Sequence, residues 1–454
     1  MKEVNALKRN DKRNNKQMSL GAFLFSFGHH FAAWRHNGTG ANSPIELNFY
    51  KEAAQMAERG KMDMLFFADA LSLPDKADVK HDVSAVYPDA MIVLAALTAV
   101  TERIGLAATV STTFNEPYNL ARRFATLDHL SGGRTAWNVV TSTKNTEAHN
   151  FQGEDLPEHG NRYDRAHEFI DVVHALWDSW EEEALLLNKE NGIFADPSRI
   201  HSINHSGAAF QVKGPLNIPR TPQGRPVIVE AGTSKAGQRL AAQTADVVFT
   251  ACSDKEEAIH FYDALKGQLA EFGRTADDLK VMPGVMFFIG DTEEEAKAQE
   301  AAFNELIVPE ASTRYLSRLL NIDLSSYPVD GPLPQIALEN NSSRARMVVE
   351  MSQKEQLSIR ELGLHFSVAR GHLTVCGTAE QIADQLEDWF LSGACDGFNV
   401  MPPHLPGGLE PFVEQVIPLL QERGLFRQNY EGYTLRGHLG LKQPGNRFRE
   451  PSYF

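Results

Sequence analysis

Residues 230–237, near the middle of the chain, have the types and spacing that bind a phosphate group. They read Glu-Ala-Gly-Thr-Ser-Lys-Ala-Gly and join a short apolar run to a helical pattern. Where a glycine turn opens a helix, free backbone N–H groups and the helix dipole face an anion. Gly232 permits close approach, and Thr233 and Ser234 can add hydroxyl donors. An ordinary helix N-cap favours the same hydroxyl residues, so the spacing alone leaves both interpretations open.

The better-known catalytic and nucleotide motifs do not occur in the sequence. Gln238 stands where a Walker loop requires lysine, and there is no GxGxxG dinucleotide fingerprint and no GxSxG nucleophile elbow. The closest histidine sets are His29 with His30 and His201 with His205, and no HExxH pattern accompanies either set. The sequence therefore predicts no metal site and no hydrolase of the elbow type.

Three further polar residues could contact a ligand. His159 and Tyr163 lie four residues apart where a helical pattern begins, and that spacing places both on one helix face. Each also has an ordinary interpretation, His159 as a surface turn residue and Tyr163 as a core ring. Asn138 ends an apolar run, where its amide could hydrogen-bond the edge of a heterocycle or cap the backbone.

Eight short apolar runs that alternate with helical patterns must position these residues. The runs are 20–27, 62–68, 104–111, 135–141, 227–231, 246–250, 279–290 and 398–401. Near-continuous apolar strands suit a parallel sheet that is buried on both faces, and eight such units predict a closed (β/α)8 TIM barrel. In this fold the active site lies at the carboxyl ends of the strands. A long helix is predicted over 162–187, and large insertions are predicted at 191–225 and 307–370.

The composition limits the classes of partner. The 454 residues include 44 Lys plus Arg and 59 Asp plus Glu, for a formal net charge of −15. An acidic surface repels phosphate backbones, which argues against a nucleic-acid partner. No apolar run is long enough to span a bilayer or resembles a signal peptide, so we expect no membrane partner and a cytoplasmic protein. One domain is predicted over 18–442, with a disordered tail at 1–17 and a C-terminal tail at 443–454.

Several sequence blocks occur together in an order that resembles a known family. They are FFADA (66–70), ATVSTTFNEPYNLAR (108–122), LDHLSGGRTAWNVVTS (127–142), EHGNRYDRAHEF (158–169), EAGTSKAGQRLA (230–241), DGFNVMPPHLPGGLEPFV (396–413) and GLFRQNYEGYTLRGHLGL (424–441). The sequence is similar to flavin-dependent monooxygenases of the bacterial luciferase-like superfamily. The branch it resembles holds nitrilotriacetate, EDTA, dibenzothiophene-sulfone and pristinamycin-synthase-type monooxygenases. The family fold, a (β/α)8 barrel with insertions, agrees with the strand count.

The resemblance implies a non-covalent, exchangeable FMN site at the carboxyl ends of the strands. It places Asp69 and Thr109 in the lining of this site and Asn138 beside the isoalloxazine. It assigns the phosphate and the adjoining ribityl group to His159, Tyr163, Gly232, Thr233 and Ser234. Barrel phosphate sites usually follow the seventh and eighth strands, whereas this turn follows the fifth predicted strand. The assignment therefore depends on the family and not on the general rule for barrels.

The resemblance also implies a two-component monooxygenase. A separate NAD(P)H:flavin reductase supplies reduced FMN, molecular oxygen is the co-substrate, and one oxygen atom enters a small organic substrate. The absence of a dinucleotide motif agrees with this division of labour. We expect a homodimer or homotetramer. No catalytic acid or base is assigned, because several histidines qualify and none has a decisive position.

The sequence specifies the substrate site less well. His30 and Trp34, which follow the first predicted strand, could border it or could be core and loop residues. Six arginines in the second insertion could bind a carboxylate or sulfonate, or could lie on solvated helix faces: Arg314, Arg318, Arg344, Arg346, Arg360 and Arg370. The same insertion is expected to supply a lid that excludes water from the flavin.

Three other functions are compatible with parts of this pattern. A deazaflavin-dependent oxidoreductase of the same fold would transfer hydride without using oxygen. A non-catalytic flavin-binding protein would bind FMN without accelerating any oxidation. A barrel lyase or isomerase would use the 232–237 turn to bind a sugar phosphate.

Overall fold

The computed structural model describes residues 16–39, 44–81, 83–151, 153–336 and 343–449. The strands of these residues are β1 Ser19–Leu24, β2 Met64–Phe67, β3 Gly105–Ser111, β4 Thr135–Val140, β5 Leu185–Asn188, β6 Ile193–Ala195, β7 His205–Ser206, β8 Gln211–Val212, β9 Val227–Glu230, β10 Val247–Thr250, β11 Lys280–Ile289, β12 Leu373–Gly377 and β13 Gly397–Met401. The predicted tail at 1–17 lies almost entirely outside the described residues.

The α-helices of the described residues follow most strands. They are α1 Leu47–Arg59, α2 Lys76–Val79, α3 Ala90–Thr98, α4 Pro117–Ser131, α5 Asn145–Ala148, α6 His159–Asp178, α7 Lys235–Thr244, α8 Lys255–Gln268, α9 Glu293–Glu305, α10 Pro309–Leu320, α11 Ser343–Glu355, α12 Ile359–Ala369, α13 Ala379–Ser392, α14 Ile417–Glu422 and α15 Leu435–His438. Within the described part of the chain, none of these helices combines the length and the apolar character needed to cross a bilayer.

The fold is a closed (β/α)8 barrel of parallel strands, which confirms the predicted class. Each of the eight predicted runs coincides with one strand of the barrel to within a few residues, namely β1, β2, β3, β4, β9, β10, β11 and β13. Every residue of β1, β2, β9, β10 and β13 is buried. This is expected of barrel strands, because one face of each strand meets the barrel interior and the other meets the surrounding helices.

The chain divides into two compact units. The first comprises the described parts of Met1–Pro88, Phe249–Leu265 and Val281–Gln428, and its parallel strand pairs are β1–β2, β1–β13, β11–β13 and β11–β12. The second comprises Asp89–Val248, Lys266–Lys280 and Asn429–Phe454, again in their described parts, and pairs β3–β4, β4–β9 and β9–β10. The single-domain boundaries expected from the sequence stay a prediction.

Aromatic rings pack against one another beside the strands of the first unit. The ring of Phe23 in β1 meets Phe66 of β2 edge-on at 4.8 Å between centroids and meets Phe249 at 5.4 Å. The imidazole of His372 stacks on Phe249 at 5.1 Å. Large rings in contact bury much apolar area and hold the strands that carry them in a fixed arrangement.

The sequence did not predict strand β12 (Leu373–Gly377), which pairs with the second half of β11. Its residues alternate between buried and half-buried, and its sequence, LTVCG, is not a continuous apolar run. The strand therefore lacks the pattern that identified the eight barrel strands, and it follows directly on the second predicted insertion.

The second insertion is largely helical. Helices α10, α11 and α12 share an apolar cluster of their own, with Leu316 and Leu320 from α10, Val348 from α11, and Leu362 and Phe366 from α12, all almost fully buried. A segment with its own core is able to move as one body, but its action as a lid stays a prediction.

The first insertion forms two hairpins, β5–β6 and β7–β8. Strand β5 overlaps the end of the helix predicted over 162–187, so that prediction is wrong there. The sequence indicated only an irregular segment over 191–225, so β6, β7 and β8 are additions to the prediction. The side chains of the first hairpin are exposed except for half-buried Ala195, although most are apolar, and Phe194, at 67% exposure, is the most exposed of the large apolar ones. An isolated two-stranded hairpin is marginal in water, so this insertion needs attachment elsewhere.

The buried carboxylate of Asp178 provides this attachment in the second unit. Asp178 is the last residue of helix α6. Its carboxylate forms ion pairs with Arg220 and Arg225 from the insertion and, at 3.4 Å, with Arg447 from the C-terminal region. The side-chain amide of Asn446 donates to the carbonyl of Asp178 at 2.9 Å. The predicted helix over 162–187 was too long, because the chain turns at Asp178 to bring these groups together.

Replacing Asp178 with alanine should destabilise the protein by about 3–5 kcal/mol, because the guanidinium groups that share this buried carboxylate lose it. Urea unfolding followed by circular dichroism measures the change. The matched control is Glu183→Ala, which removes the exposed partner of Arg199 and should leave stability nearly unchanged. Equal losses in the two variants would contradict the anchoring function of Asp178.

Candidate functional site

The turn between β9 and α7 has the geometry that its sequence predicts. Ser234 is the N-cap of α7, and its hydroxyl oxygen accepts a hydrogen bond from the N–H of Gly237 at 3.1 Å. A Cβ atom on Gly232 would lie 2.9 Å from the Cα of Gly237, so the strand end and the helix start approach each other more closely than side chains allow. The N-cap interpretation is thus confirmed, and it does not compete with anion binding.

The same turn is open to a ligand. Gly232, Thr233 and Ser234 are half-exposed, and Lys235 and Ala236 after them are exposed. The first N–H groups of any α-helix lack carbonyl partners within the helix, and Ser234 satisfies one of them here. The remaining N–H groups, the positive end of the helix dipole and the exposed backbone form an arrangement that fits a dianionic phosphate.

Tyr163 stands beside this turn. Its hydroxyl oxygen is 3.6 Å from the position that a Cβ on Gly232 would occupy, so the phenol of α6 reaches the turn between β9 and α7. His159 is the first residue of α6, one turn before Tyr163, and its side chain lies outside the described residues. The structure therefore brings together Tyr163, Gly232, Thr233 and Ser234 as the sequence predicts, and leaves the contacts of His159 a prediction.

A buried carboxyl group, Glu230, precedes the turn. Burial raises its pKa to about 8, against smaller opposing effects from the Thr244 hydroxyl and the Arg274 charge. The Thr244 hydroxyl donates to the Glu230 carboxyl at 2.6 Å, which favours the ionised form and so opposes part of the rise in pKa. A neutral Glu230 does not repel an anion at the neighbouring turn.

The protonation of Glu230 should make stability depend on pH. In the unfolded chain the Glu230 carboxyl ionises near its ordinary pKa, whereas in the folded chain its pKa is about 8. Between these two values folding requires the carboxyl to take up a proton, so the free energy of unfolding falls as pH rises. Relative to Glu230→Gln, the wild type should lose on the order of 3 kcal/mol of stability between pH 5 and pH 8.

Urea unfolding of the two proteins at several pH values measures this difference. The variant Thr244→Val, which removes the hydroxyl that lowers the pKa of Glu230, should move the pH-dependent loss to higher pH. Parallel stability profiles for wild type and Glu230→Gln would show that the carboxyl is not protonated in the folded protein.

Thr109 and Asn138 form a polar pair on the neighbouring strands β3 and β4. They are direct partners in the parallel register, and the amide nitrogen of Asn138 donates to the Thr109 hydroxyl oxygen at 2.8 Å. Both side chains are buried, and the amide oxygen of Asn138 accepts no hydrogen bond from any described residue. A buried acceptor without a donor is costly, and a ligand N–H group would satisfy it.

A second hydroxyl pair lies where β3 and β4 end. The hydroxyl oxygens of Ser111 and Ser142 are 2.8 Å apart and buried, and Ser142 has a left-handed backbone with φ of 52°. Both residues follow predicted strands, and only this position could have indicated them, because serine at a strand end is also an ordinary capping residue.

The remaining predicted site residues lie in the first unit. Asp69 is half-buried just after β2, where its carboxylate accepts from the N–H of Ala70 at 2.7 Å. His30 is fully buried, its ring nitrogen is 3.1 Å from the side-chain oxygen of Asn304, and burial lowers its pKa to about 4. Trp34 is 45% exposed in a short 3-10 turn. His30 is thus a core residue that is neutral at physiological pH, and Trp34 is a surface residue.

His29, which sequence reasoning considered only as a metal ligand, is buried beside strand β1. Its Nε2 atom donates to the carbonyl of Phe23 at 2.9 Å, so Nδ1 carries the lone pair and has no donor among the described residues. Burial, and next the charge of Arg370, hold the pKa of His29 well below its ordinary value. In the described part of the chain, no group of three or more His, Cys, Asp or Glu side chains has a geometry that could hold a metal ion.

Fold and site together define a (β/α)8-barrel protein with a phosphate-compatible turn at the carboxyl end of a strand. The chain belongs to the luciferase-like monooxygenase family, whose model matches residues 26–395. This membership confirms the resemblance that the sequence blocks indicated.

Individual relatives show the same relationship over nearly the whole chain. The N-acetyl-S-(2-succino)cysteine monooxygenase of Bacillus subtilis strain 168 is 50% identical over 95% of this chain and 98% of its own length. Nitrilotriacetate monooxygenase component A of Aminobacter aminovorans is 46% identical over 96% and 99%. A riboflavin lyase, whose structure contains modified FMN and riboflavin, superposes with a TM-score of 0.83 at 31% identity over 94% of this chain and 97% of its own.

Proposed function

We propose that this chain is the oxygenase component of a two-component, FMN-dependent monooxygenase. It takes reduced FMN from a separate NAD(P)H:flavin reductase and inserts one oxygen atom of O2 into a small organic substrate. Family membership, a relative named as one component of a monooxygenase, and a similar structure that contains modified FMN support the proposal. The observation that carries it is the open, glycine-lined turn between β9 and α7.

This turn holds the phosphate of FMN. The N–H groups at the start of α7 donate to the phosphate oxygens, and the hydroxyl groups of Thr233, Ser234 and Tyr163 add further donors. Gly232 keeps the backbone free of a Cβ atom at the point of approach. Protonation of Glu230 removes a negative charge that would otherwise oppose the phosphate.

The pair of Thr109 and Asn138 holds an edge of the isoalloxazine ring system. Thr109 accepts from the Asn138 amide, which fixes the orientation of that amide and leaves its oxygen to accept from a ring N–H. When bound, reduced FMN supplies the reaction with oxygen, for which protein side chains have no counterpart. The side chains of this chain bind the cofactor, orient it and exclude water. Asp69 and His159 complete the proposed flavin set, as the family resemblance implies.

Removing the Ser234 hydroxyl should weaken the binding of FMN but not of riboflavin. Ser234→Ala loses one phosphate donor and one helix cap, and we expect the Kd for FMN to rise roughly tenfold, as for a hydrogen bond to a charged group. Riboflavin has no phosphate, so its Kd should stay within about twofold. Fluorescence titration of both flavins measures the two constants, and Tyr163→Phe should show the same selectivity.

A matched control separates ligand binding from helix capping. Ser358 caps α12 as Ser234 caps α7, and Ser358→Ala should reduce stability by about 1 kcal/mol without changing either flavin affinity. If Ser234→Ala changes the Kd values of FMN and riboflavin equally, the phosphate does not bind at this turn.

The activity itself is tested with reduced FMN, oxygen and a generic flavin reductase. Candidate substrates are screened by mass spectrometry for products that have gained one oxygen atom, and oxygen consumption is recorded beside it. The proposal predicts an oxygenated product that depends on both FMN and the reductase. Reduction of a deazaflavin without oxygen consumption would favour the hydride-transfer alternative. FMN binding without any product would favour a flavin-binding protein.

A further inference from the structure

The six arginines of the second insertion differ in the groups that their guanidinium groups contact. Arg314 and Arg318 share the carboxylate of Asp78, at 2.8 and 2.7 Å. Arg360 pairs with Asp330 at 2.6 Å on the surface. These three guanidinium groups are therefore occupied by carboxylates of the protein itself, and a ligand would have to displace them.

Two of the remaining arginines offer no defined environment. The side chain of Arg346 is exposed on α11, and that of Arg344 lies outside the described residues. Arg370 differs from the others, because its guanidinium carbon stands 4.1 Å from the centre of the Phe25 ring and no described carboxylate forms an ion pair with it. It is a half-buried cation on an aromatic surface.

The groups around Arg370 are apolar or neutral. Phe25 follows the last residue of β1 and is 4% exposed, and the Tyr87 ring meets it edge-on at 5.3 Å between centroids. The centroids of the His29 and Phe25 rings are also 5.3 Å apart. Burial together with the Arg370 charge lowers the pKa of both His29 and His30, so both are neutral at physiological pH. Of these described groups, Arg370 alone carries a charge.

The backbone at Arg370 has a conformation that favours glycine. Arg370 ends α12 in the left-handed conformation, with φ of 54°. Glycine adopts this conformation without cost, whereas a residue with a Cβ atom loses roughly 1–2 kcal/mol. Gly371, next in the chain, also has positive φ. Arg370 therefore occupies a position where helices commonly end in glycine.

We propose that Arg370 binds a carboxylate of the substrate, so that the substrate of this enzyme is an organic acid whose apolar part contacts Phe25 and Tyr87. This inference rests on the proposed monooxygenase function and specifies its substrate class. A planar guanidinium donates two parallel hydrogen bonds to a carboxylate, and the ring of Phe25 holds the guanidinium plane in place. An uncharged substrate of the same shape would leave this partly desolvated cation without a counter-charge.

The test uses the full-length protein loaded with oxidised FMN and pairs of compounds that differ only in charge. Nitrilotriacetate is compared with nitrilotriacetamide, and succinate with succinamide, by isothermal titration calorimetry. The proposal predicts that at least one acid binds and that its amide binds at least roughly tenfold more weakly. If no acid binds, or if the amides bind equally well, the proposal is wrong.

Three variants assign the effect to Arg370. Arg370→Asn removes the charge and tolerates the left-handed backbone, and should weaken acid binding roughly tenfold or more without affecting the amide. Arg370→Lys keeps the charge but not the paired donors and should recover part of the affinity. The control Arg360→Asn removes a guanidinium of the same insertion and should leave the acid affinity unchanged. Unchanged acid affinity in Arg370→Asn would overturn the assignment.

Flavin titration of the same variants keeps this inference distinct from the proposed function. Arg370→Asn should bind FMN with wild-type affinity, because no phosphate or ring contact is assigned to it. A loss of FMN affinity would show that Arg370 serves the cofactor and not the substrate. Conversely, if the wild type binds acids through Arg370 but forms no oxygenated product, the proposed activity fails and the carboxylate site stands.

Discussion

The candidate site depends on the contact between Gly232 and Gly237. Because their backbones approach more closely than a Cβ atom allows, helix α7 begins directly over the end of strand β9. This contact sets the direction of the helix axis, the position of the Ser234 cap and the gap that the Tyr163 hydroxyl reaches. A side chain at either glycine would displace the helix start and with it every donor of the turn.

Burial also keeps several titratable side chains of this protein uncharged. The chain is acidic as a whole, with a formal net charge of −15, yet burial removes charge where the ligands are proposed to bind. Glu230 keeps its acidic proton beside the turn, and His29 and His30 stay uncharged beside Arg370. Local desolvation, and not the overall charge, therefore sets the charge of these groups at the two proposed sites.

Much of the fold could be predicted from the sequence, because buried strands and helices have recognisable patterns of apolar residues. All eight barrel strands were identifiable as apolar runs, whereas β12 alternates between buried and half-buried residues and was missed. Helix α6 was predicted to end nine residues too late, since its end at Asp178 is fixed by arginines more than forty positions away. Periodicity reports local burial and carries no information about such distant partners.

The site also has features that the sequence identifies and features that only the structure shows. The turn at 230–237 was identifiable from local residue types, and the parallel register that pairs Thr109 with Asn138 needed the structure. The protonation of Glu230 follows from its burial in the fold, which the residue type alone does not indicate. Likewise, six arginines in one insertion look alike until their partners Asp78 and Asp330 are known.

The ion pairs of Asp178 also bear on how the protein is made. Their partners include residues from the insertion and, through Arg447 and Asn446, from the far end of the second unit. Arg436, in the same region, pairs with Asp246 at the start of strand β10. Asp178 precedes Arg447 by 269 residues, and Asp246 precedes Arg436 by 190 residues. Asp178 can therefore meet Arg220 and Arg225 early in translation, whereas its pairing with Arg447 and that of Asp246 with Arg436 wait until residues 436–447 have been synthesised.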